Sequence, residues 1–442
     1  MIRCLLIALS SAIFCIQAHA ATPVVFCSDM TDGPVTGWEE SATKGAAVSL
    51  YGLNFGASGS VTIANATAET SVTLQSSSSS DVPEWAATTN PTTARGLQRI
   101  TFYLNSSMGT TGTYPNSTIT VTTSEGTSTA INFHARAIGS NKIYFLDNVN
   151  GHDSNYNGQY DSVDGSDGPK QSTAWARANL DAGDVCYLIA NAGTDYHDHD
   201  NGTGFQYGGL FTFGGGGSPN HNVGTEGNSI TVKAYPGDNV QMDGTGTDGG
   251  SSTLKSVVQM YYAGSQLSYW TFSNMSMDGS WACVALGANG YTGGGLSNIR
   301  VVGNDLTTEL TTTQQWGNAI VAYGMASGAG ANDLHILANY VHDICADTRG
   351  QDTGRRVYPI YIGGYGDLSD IYIRYNEFGW LSQGRGVQIY GHDDEDTITN
   401  CHYSHNYTHD CARQGLLFGG GDGSPAYQFL ITGYVYSNII SF

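Results

Sequence analysis

The sequence predicts an all-β protein in two parts, an antiparallel sandwich followed by a longer parallel solenoid, and three observations carry that expectation. Gly supplies 59 of the 442 residues while only 12% are charged, a poor balance for helices, whose exposed faces are usually filled with Lys, Glu, Arg and Gln. Short runs of alternating polar and apolar residues occupy roughly the first third of the chain, as half-buried strands require. Beyond that, a strand ending in Asn recurs at Asn274, Asn304, Asn339, Asn376, Asn406 and Asn438, at intervals of 30, 35, 37, 30 and 32 residues. Such a near-constant period is that of stacked coils.

Taken in order, residues 1–20 form an export signal. Arg3 precedes the apolar run Cys4 to Ile16, and Ala18-His19-Ala20 puts small residues where a signal peptidase reads. Cleavage there leaves 442 − 20 = 422 residues with a charge of −22, because only Arg3 leaves from a net −21. No later stretch approaches the roughly 18 continuous apolar residues of a membrane span. A secreted or cell-surface protein, periplasmic or extracellular, is therefore expected. With 17 basic against 38 acidic residues, its field disfavours nucleic acid as a partner.

Residues 21–140 contain the alternating runs Ala47 to Tyr51, Ser60 to Ile63 and Ser117 to Val121, read as antiparallel strands of a sandwich. Residues 141–442 open with Lys142 to Asp147, Ala174 to Leu180 and Ala182 to Ala190, read as strand, short amphipathic helix and strand. Most intervals contain a second short strand entered or left through Gly, as in Asn318 to Gly324, Pro359 to Gly364, Gly386 to Gly391 and Gly415 to Gly419. Asn tolerates the left-handed backbone of a sharp turn, and stacked amides bond from coil to coil, so the recurrent Asn reads as structural. The dipeptides His342-Asp343 and His409-Asp410 share that frame and also read as turn formers.

Two resemblances accompany this reading. Gly45-Ala-Ala-Val-Ser-Leu-Tyr-Gly-Leu-Asn-Phe-Gly56, with Gly112, Ile119 to Val121, Gly126 and Phe133, resembles IPT/TIG domains, which are immunoglobulin-like and serve mostly as spacers or interaction modules. The segments 142–190, 228–244 and 269–279 resemble the cap and first coils of the pectin-lyase-like class of secreted proteins. The resemblance implies a right-handed, single-stranded parallel β-helix. Six cysteines remain after residue 20, namely Cys27, Cys186, Cys283, Cys345, Cys401 and Cys411. They allow up to three disulfides or, on the other reading, are buried apolar side chains.

Two places are expected to carry chemistry. Asp153, Asn155, Asn157, Asp161 and Asp164 stand at positions 1, 3, 5, 9 and 12 of a twelve-residue stretch with Gly158 at position 6, the ligand spacing of a Ca²⁺ loop. Aligning the second strands on their terminal Gly brings Asp367, Asp393 with Asp394, and Asp422 to equivalent sites about 4.8 Å apart. Stacked carboxylates repel one another unless a proton or cation intervenes, which yields either an acid/base pair or a Ca²⁺-assisted site. His392, Arg385 and Arg413 lie in the same coils. The last lysine is Lys255, so no lysine base serves the later coils, and the polygalacturonase motif set is not present as a set.

These features give two functions. The first is an exported, carbohydrate-directed protein, a polysaccharide lyase or glycoside hydrolase on an extracellular polysaccharide such as a uronate polymer, with Tyr and Trp stacking on sugar rings. The second is a non-catalytic surface or matrix adhesin. The last repeat stops just after Asn438, with no polar cap over its final coil, so the chain is expected either to be a fragment of a longer solenoid or to pair there with a further chain.

Overall fold

The computed structural model describes residues 21–64, 71–75, 79–88, 96–108, 113–137, 142–197, 207–214, 222–244, 254–262, 267–288, 295–308, 316–324, 330–344, 356–364, 367–381, 386–391, 397–411, 415–420 and 430–441. Two sheets make up the first part. One runs in the order Val24–Ser28, Lys44–Leu53, Gln98–Asn105, Glu84–Thr88, and the other in the order Asp32–Pro34, Ile131–Arg136, Thr113–Thr123, Ser60–Ala64, Ser71–Gln75. All pairings are antiparallel except that of Ile131–Arg136 with Asp32–Pro34. Alternation buries Val48, Leu50, Val61, Ile63, Ile100, Phe102, Ile119 and Val121 in one core.

From Ile143 onward the pairings become parallel and the chain winds as a parallel β-helix solenoid. Each full coil visits three sheets in turn, as in Leu296–Val302, Asp305–Thr308 and Trp316–Gly324. These are called the first, second and third sheets below. The helix Thr173–Asn179 begins at Ser172, whose side chain accepts from Trp175 N, as expected of an N-cap serine. It is the only α-helix among the described residues, and no described helix is long and apolar enough to cross a membrane. Inward positions stack like on like. Val301, Ile336, Ile373 and Tyr403 are paired in successive coils, each at most 1% exposed.

The amide ladder is present, with one correction of phase. Asn304, Asn339, Asn376, Asn406 and Asn438 form it, each side-chain amide donating 3.0–3.2 Å to the next amide oxygen. The first four also donate through their backbone N–H to that same oxygen, and every amide reaches back to a main-chain carbonyl of the preceding coil. The left-handed conformation belongs to the residue before each Asn, at Gly303, Ala338, Tyr375, His405 and Ser437. Asn274 occupies that left-handed position itself (φ 62°), and Met275 N meets Asn304 Oδ1 in its place. Asn274 instead faces the sandwich, donating to Asp29 Oδ2 and Ser49 Oγ.

The sandwich lies on the outer face of the first sheet. Trp38 and Tyr103 pack with Phe145, Tyr187 and Tyr235 of the opening coils, and Cys27, Tyr51 and Leu97 pack with Val302, Leu337 and Ala338 further along. Buried ions fasten the contact. Lys233 meets Asp29, Arg136 donates to the Gly183 carbonyl, and Arg300 donates to the carbonyls of Ser28 and Asp29. Cys27, Cys186, Cys283, Cys401 and Cys411 are all free thiols, the first four buried. Disulfides are therefore absent among the described cysteines, and Cys345 lies outside the described residues.

Candidate functional site

Of the expected carboxylate ladder, Asp367 is the member among the described residues. Strand register aligns Gly364 with Gly391 and Gly391 with Gly420, and on the return to the first sheet it aligns Leu368 with Ile398 and Ile398 with Ile431. Three residues separate Gly364 from Leu368, six separate Gly391 from Ile398, and ten separate Gly420 from Ile431. The segments that carry Asp367, Asp394 and Asp422 therefore differ in length. Asp367 has Thr397 as its neighbour in the next coil, and Thr397 Oγ1 donates to Asp367 Oδ1. Asp422 is also two residues past its aligned Gly420, whereas Asp367 and Asp394 are three past theirs. The remaining expected residues, Arg385, His392, Asp393, Asp394, Arg413 and Asp422, lie outside the described residues. The strand Val387–Gly391 separates Arg385, before it, from His392 to Asp394, after it.

The calcium-like stretch is engaged elsewhere. Asp153 accepts from the backbone of Gln171 and Ser172 at 2.8 and 3.0 Å and from the Ser172 hydroxyl, bracing the residue that caps the helix. Asn157 Oδ1 accepts from Gln159 N, and Asp161 Oδ2 accepts from Tyr235 OH at 2.9 Å. Asn155 is exposed, its backbone N–H donating to His152 Nδ1, and Asp164 is exposed in a small turn closed by backbone bonds with Asp167. Among the described residues, no group of three or more His, Cys, Asp or Glu converges as a metal site would.

A different cluster is assembled on the outer face of the second sheet. Its strands Asp305–Thr308, Tyr340–His342, Glu377–Gly379 and Tyr407–Thr408 are paired so that Asp305, Tyr340, Glu377 and Tyr407 form one column. Carboxylates therefore recur only in alternate coils, roughly 10 Å apart, with a tyrosine between. Two residues further on, His342, Gly379 and His409 form a second column, and Asp343, Trp380 and Asp410 a third. Leu306, Val341 and Phe378 point the other way, into the core.

Each histidine bridges two carboxylates. His342 Nε2 is 2.7 Å from Asp305 Oδ1 of the preceding coil and its Nδ1 is 2.8 Å from Asp343 Oδ2. His409 Nε2 is 3.3 Å from Glu377 Oε1 and its Nδ1 is 2.7 Å from Asp410 Oδ2. Carboxylates only accept, so each ring is placed with a carboxylate oxygen opposite both of its nitrogens, the arrangement that favours the protonated form of His342. Burial alone would lower the His342 pKa, but the hydrogen bonds and charges of Asp305 and Asp343 outweigh it and the pKa is raised. Tyr340 stacks on His342 with centroids 4.3 Å apart, and Tyr407 on His409 at 4.7 Å. Burial and then the charges of Glu377 and Asp305 push the Tyr340 hydroxyl up to about 12. Gly379 is required here, since a Cβ on it would stand 2.5 Å from His409 Cε1.

A pH dependence follows, with a defined sign. The folded-state pKa of His342 is above its unfolded value of about 6.5, so its stabilisation is complete below that value. It is lost as pH rises through the folded pKa. Thermal melts between pH 6 and 9 are expected to show wild type losing its advantage over His342→Gln as pH increases.

Aromatic residues elsewhere offer less to a ligand. On the outer face of the first sheet, beyond the sandwich, His335, Tyr372, His402 and Tyr434 stack in a column at 4.8, 5.0 and 4.9 Å. Their faces stack on one another within the column, which ends at Tyr434, 61% exposed. Trp380 is different. It is 48% exposed and stands nearly perpendicular to His409, at 6.4 Å and 84°.

The two His–carboxylate bridges are not evident in the sequence. The His-Asp dipeptides read there as turn formers, and Asp343 and Asp410 do adopt left-handed backbone (φ 49° and 50°). The signal that marks the partners is the residue after each ladder Asn, which alternates Asp305, Tyr340, Glu377, Tyr407.

No protein-family model matches the chain, and no curated protein sequence matches it. Among solved structures, it is similar to a GH136 lacto-N-biosidase from Eubacterium ramulus, at 12% identity over 68% of each chain with a TM-score of 0.29. It is also similar to a rhamnogalacturonan lyase, at 12% identity over 67% of this chain and 87% of that one, with a TM-score of 0.28. Likeness at this level bears on neither activity nor substrate.

Proposed function

We propose that the protein is an exported, polysaccharide-directed solenoid, acting as a lyase or glycoside hydrolase, and that the outer face of its second sheet is the working surface. The observation that carries this reading is the pair of carboxylate-bridged histidines in alternate coils, flanking the exposed Trp380. An imidazolium is an acid and an adjacent ionised carboxylate is a base, and cleavage of a glycosidic bond needs both. Glu377 is 3% exposed at its side chain and serves as the inner anchor, while Asp343 and Asp410, at 40% and 49%, are the members a substrate reaches. Arg385 and Arg413 follow Leu381 and Cys411 by four and two residues, and contact with substrate beside this face is proposed for them. Asp367, His392, Asp393, Asp394 and Asp422 belong to the turns after the third sheet and form the alternative site. Export rests on residues 1–20, and the sandwich is taken to be of the IPT/TIG type.

The test is a depolymerisation screen on pectate, alginate, chondroitin and neutral glycans, with and without Ca²⁺, read by unsaturated-end absorbance and by reducing ends. Cleavage of at least one polymer is expected, falling by about 10²-fold or more in Asp410→Ala and holding in Asp394→Ala. The reverse pattern would move the site to the turns after the third sheet. Ca²⁺ held by Asp153, Asn155, Asn157, Asp161 and Asp164 is part of the proposal, and a Ca²⁺ requirement would support it, while inactivity on every polymer would leave the adhesin reading.

A further inference from the structure

Trp380 holds a backbone conformation that a bulky aromatic rarely adopts, with φ 55°. The residues aligned with it one coil to either side, Asp343 and Asp410, share that conformation, and Asp tolerates it far better. At the same turn position, then, the middle coil carries a strained tryptophan where its neighbours carry an easily fitted aspartate. Burial does not explain the choice, since the side chain is 48% exposed. The indole is nonetheless fixed in direction. It lies within hydrogen-bonding reach of the Tyr340 side chain and nearly perpendicular to His409. Unlike the column on the first sheet, no ring among the described residues stacks face to face on it. Strain retained at an exposed, oriented side chain points to a role in contacting something else.

We infer that Trp380 is the stacking platform of a sugar subsite, on which an uncharged pyranose ring lies with its hydroxyls received by Asp343 and Asp410. This deepens the glycoside-hydrolase arm of the proposed function, since a neutral ring lacks the uronate carboxylate a lyase requires, and rests on its carbohydrate-directed reading. The two aspartates stand about 4.8 Å to either side along the coil stack, close enough to meet substituents at opposite edges of one ring. Ionised carboxylates accept only, so they select hydroxyl or amide N–H donors and repel a uronate carboxylate. The ligand class is therefore a neutral hexose, pentose or N-acetylhexosamine polymer.

The experiment is titration of the full chain with cellohexaose, xylohexaose, mannohexaose, chitohexaose and hexagalacturonate, followed by tryptophan fluorescence and calorimetry. Wild type is expected to bind at least one neutral hexamer with a fluorescence change. Trp380→Ala should weaken that binding by about ten-fold or more and abolish the change, whereas Trp380→Phe should keep part of the affinity. Trp380→Asn separates a binding role from a structural one. It should lose binding yet raise the melting temperature by about 1–2 °C through relief of the strained backbone. A fall in melting temperature with unchanged binding would overturn the proposal. Neutral hexamers bound equally by wild type and Trp380→Ala would remove the platform and leave the carbohydrate-directed reading in place. Preference for hexagalacturonate would overturn the ligand class, and no binding together with no depolymerisation would remove both.

Discussion

Replacing Asp29 with alanine is expected to destabilise the protein by about 3–5 kcal/mol, because it leaves a buried lysine charge without its counterion. Asp29 and Lys233 are 0% and 1% exposed at their side chains. Asp29 Oδ1 accepts from Met30 N and Ser49 N at 2.8 and 2.9 Å, while Oδ2 accepts from Lys233 Nζ and from Asn274 Nδ2. One carboxylate thus ties the end of the strand Val24–Ser28 to its neighbour and to two coils of the solenoid. Burial pushes the Lys233 pKa down and the charge of Asp29 opposes it. Without Asp29 the ammonium retains the Ala47 carbonyl at 2.8 Å, a neutral acceptor and too little to keep it charged. The urea midpoint should fall accordingly, and Lys233→Met added to Asp29→Ala should recover much of the loss, since a buried pair replaced by apolar volume is often neutral. A loss below about 1 kcal/mol for Asp29→Ala would show that the pair does not hold the two parts together.

This contact changes what the sandwich is for. The resemblance to IPT/TIG domains implies a spacer or an interaction module, yet here the domain covers Phe145, Tyr187, Val302 and Leu337, which are outer-face residues of the solenoid's first sheet. Tyr187 OH accepts from Ala47 N at 2.6 Å, and Ser229 Oγ donates to Asp32 Oδ2 at 2.6 Å. An isolated solenoid would expose that apolar surface to water. The sandwich therefore serves as a side wall for the early coils, and the second sheet, on another face, is left to the proposed site.

How much of the molecule is legible in its sequence follows from which interactions are local. Alternation and the Asn period are properties of one strand and one turn, so the strands of the sandwich, the helix 173–179 and each coil can be read directly. The phase of Asn274 cannot, because Asn suits both the ladder and the left-handed position before it, and only pairing with Asn304 distinguishes them. The carboxylate ladder is not legible from alignment alone for a related reason. It assumes turns of equal length after the third sheet, whereas three, six and ten residues intervene. His342 and His409 are visible as residues, but each finds its partner in the coil before, at Asp305 and Glu377. Asp29 and Lys233 are 204 residues apart in sequence, and nothing local marks either as half of a pair.

Asn376→Ala is expected to cost about 3–5 kcal/mol, from loss of bonds in a place water does not reach. Asn376 is fully buried. Its Oδ1 accepts from the backbone and side chain of Asn339 at 2.9 and 3.0 Å, and its Nδ2 donates to Ile336 O and Asn406 Oδ1 at 2.9 and 3.1 Å. Truncation strands the Asn339 N–H and removes a donor from the Ile336 carbonyl, both main-chain groups in the stack's interior. Asn376→Asp provides the sharper test. It keeps the volume and the accepting oxygen but turns the donor into a second acceptor facing the Ile336 and Asn406 oxygens. An ionised carboxylate there is repelled on two sides, so its folded pKa must be raised above the unfolded value of about 3.9. The penalty should therefore exceed that of alanine at pH 7 and shrink as pH falls through the raised pKa, where the protonated acid regains a donor. Asn438→Ala, at the partly exposed end of the same ladder, should cost less, because water substitutes for the missing amide. Equal losses at positions 376 and 438, or an Asn376→Asp penalty indifferent to pH, would mean that the amides fill space without bonding the coils.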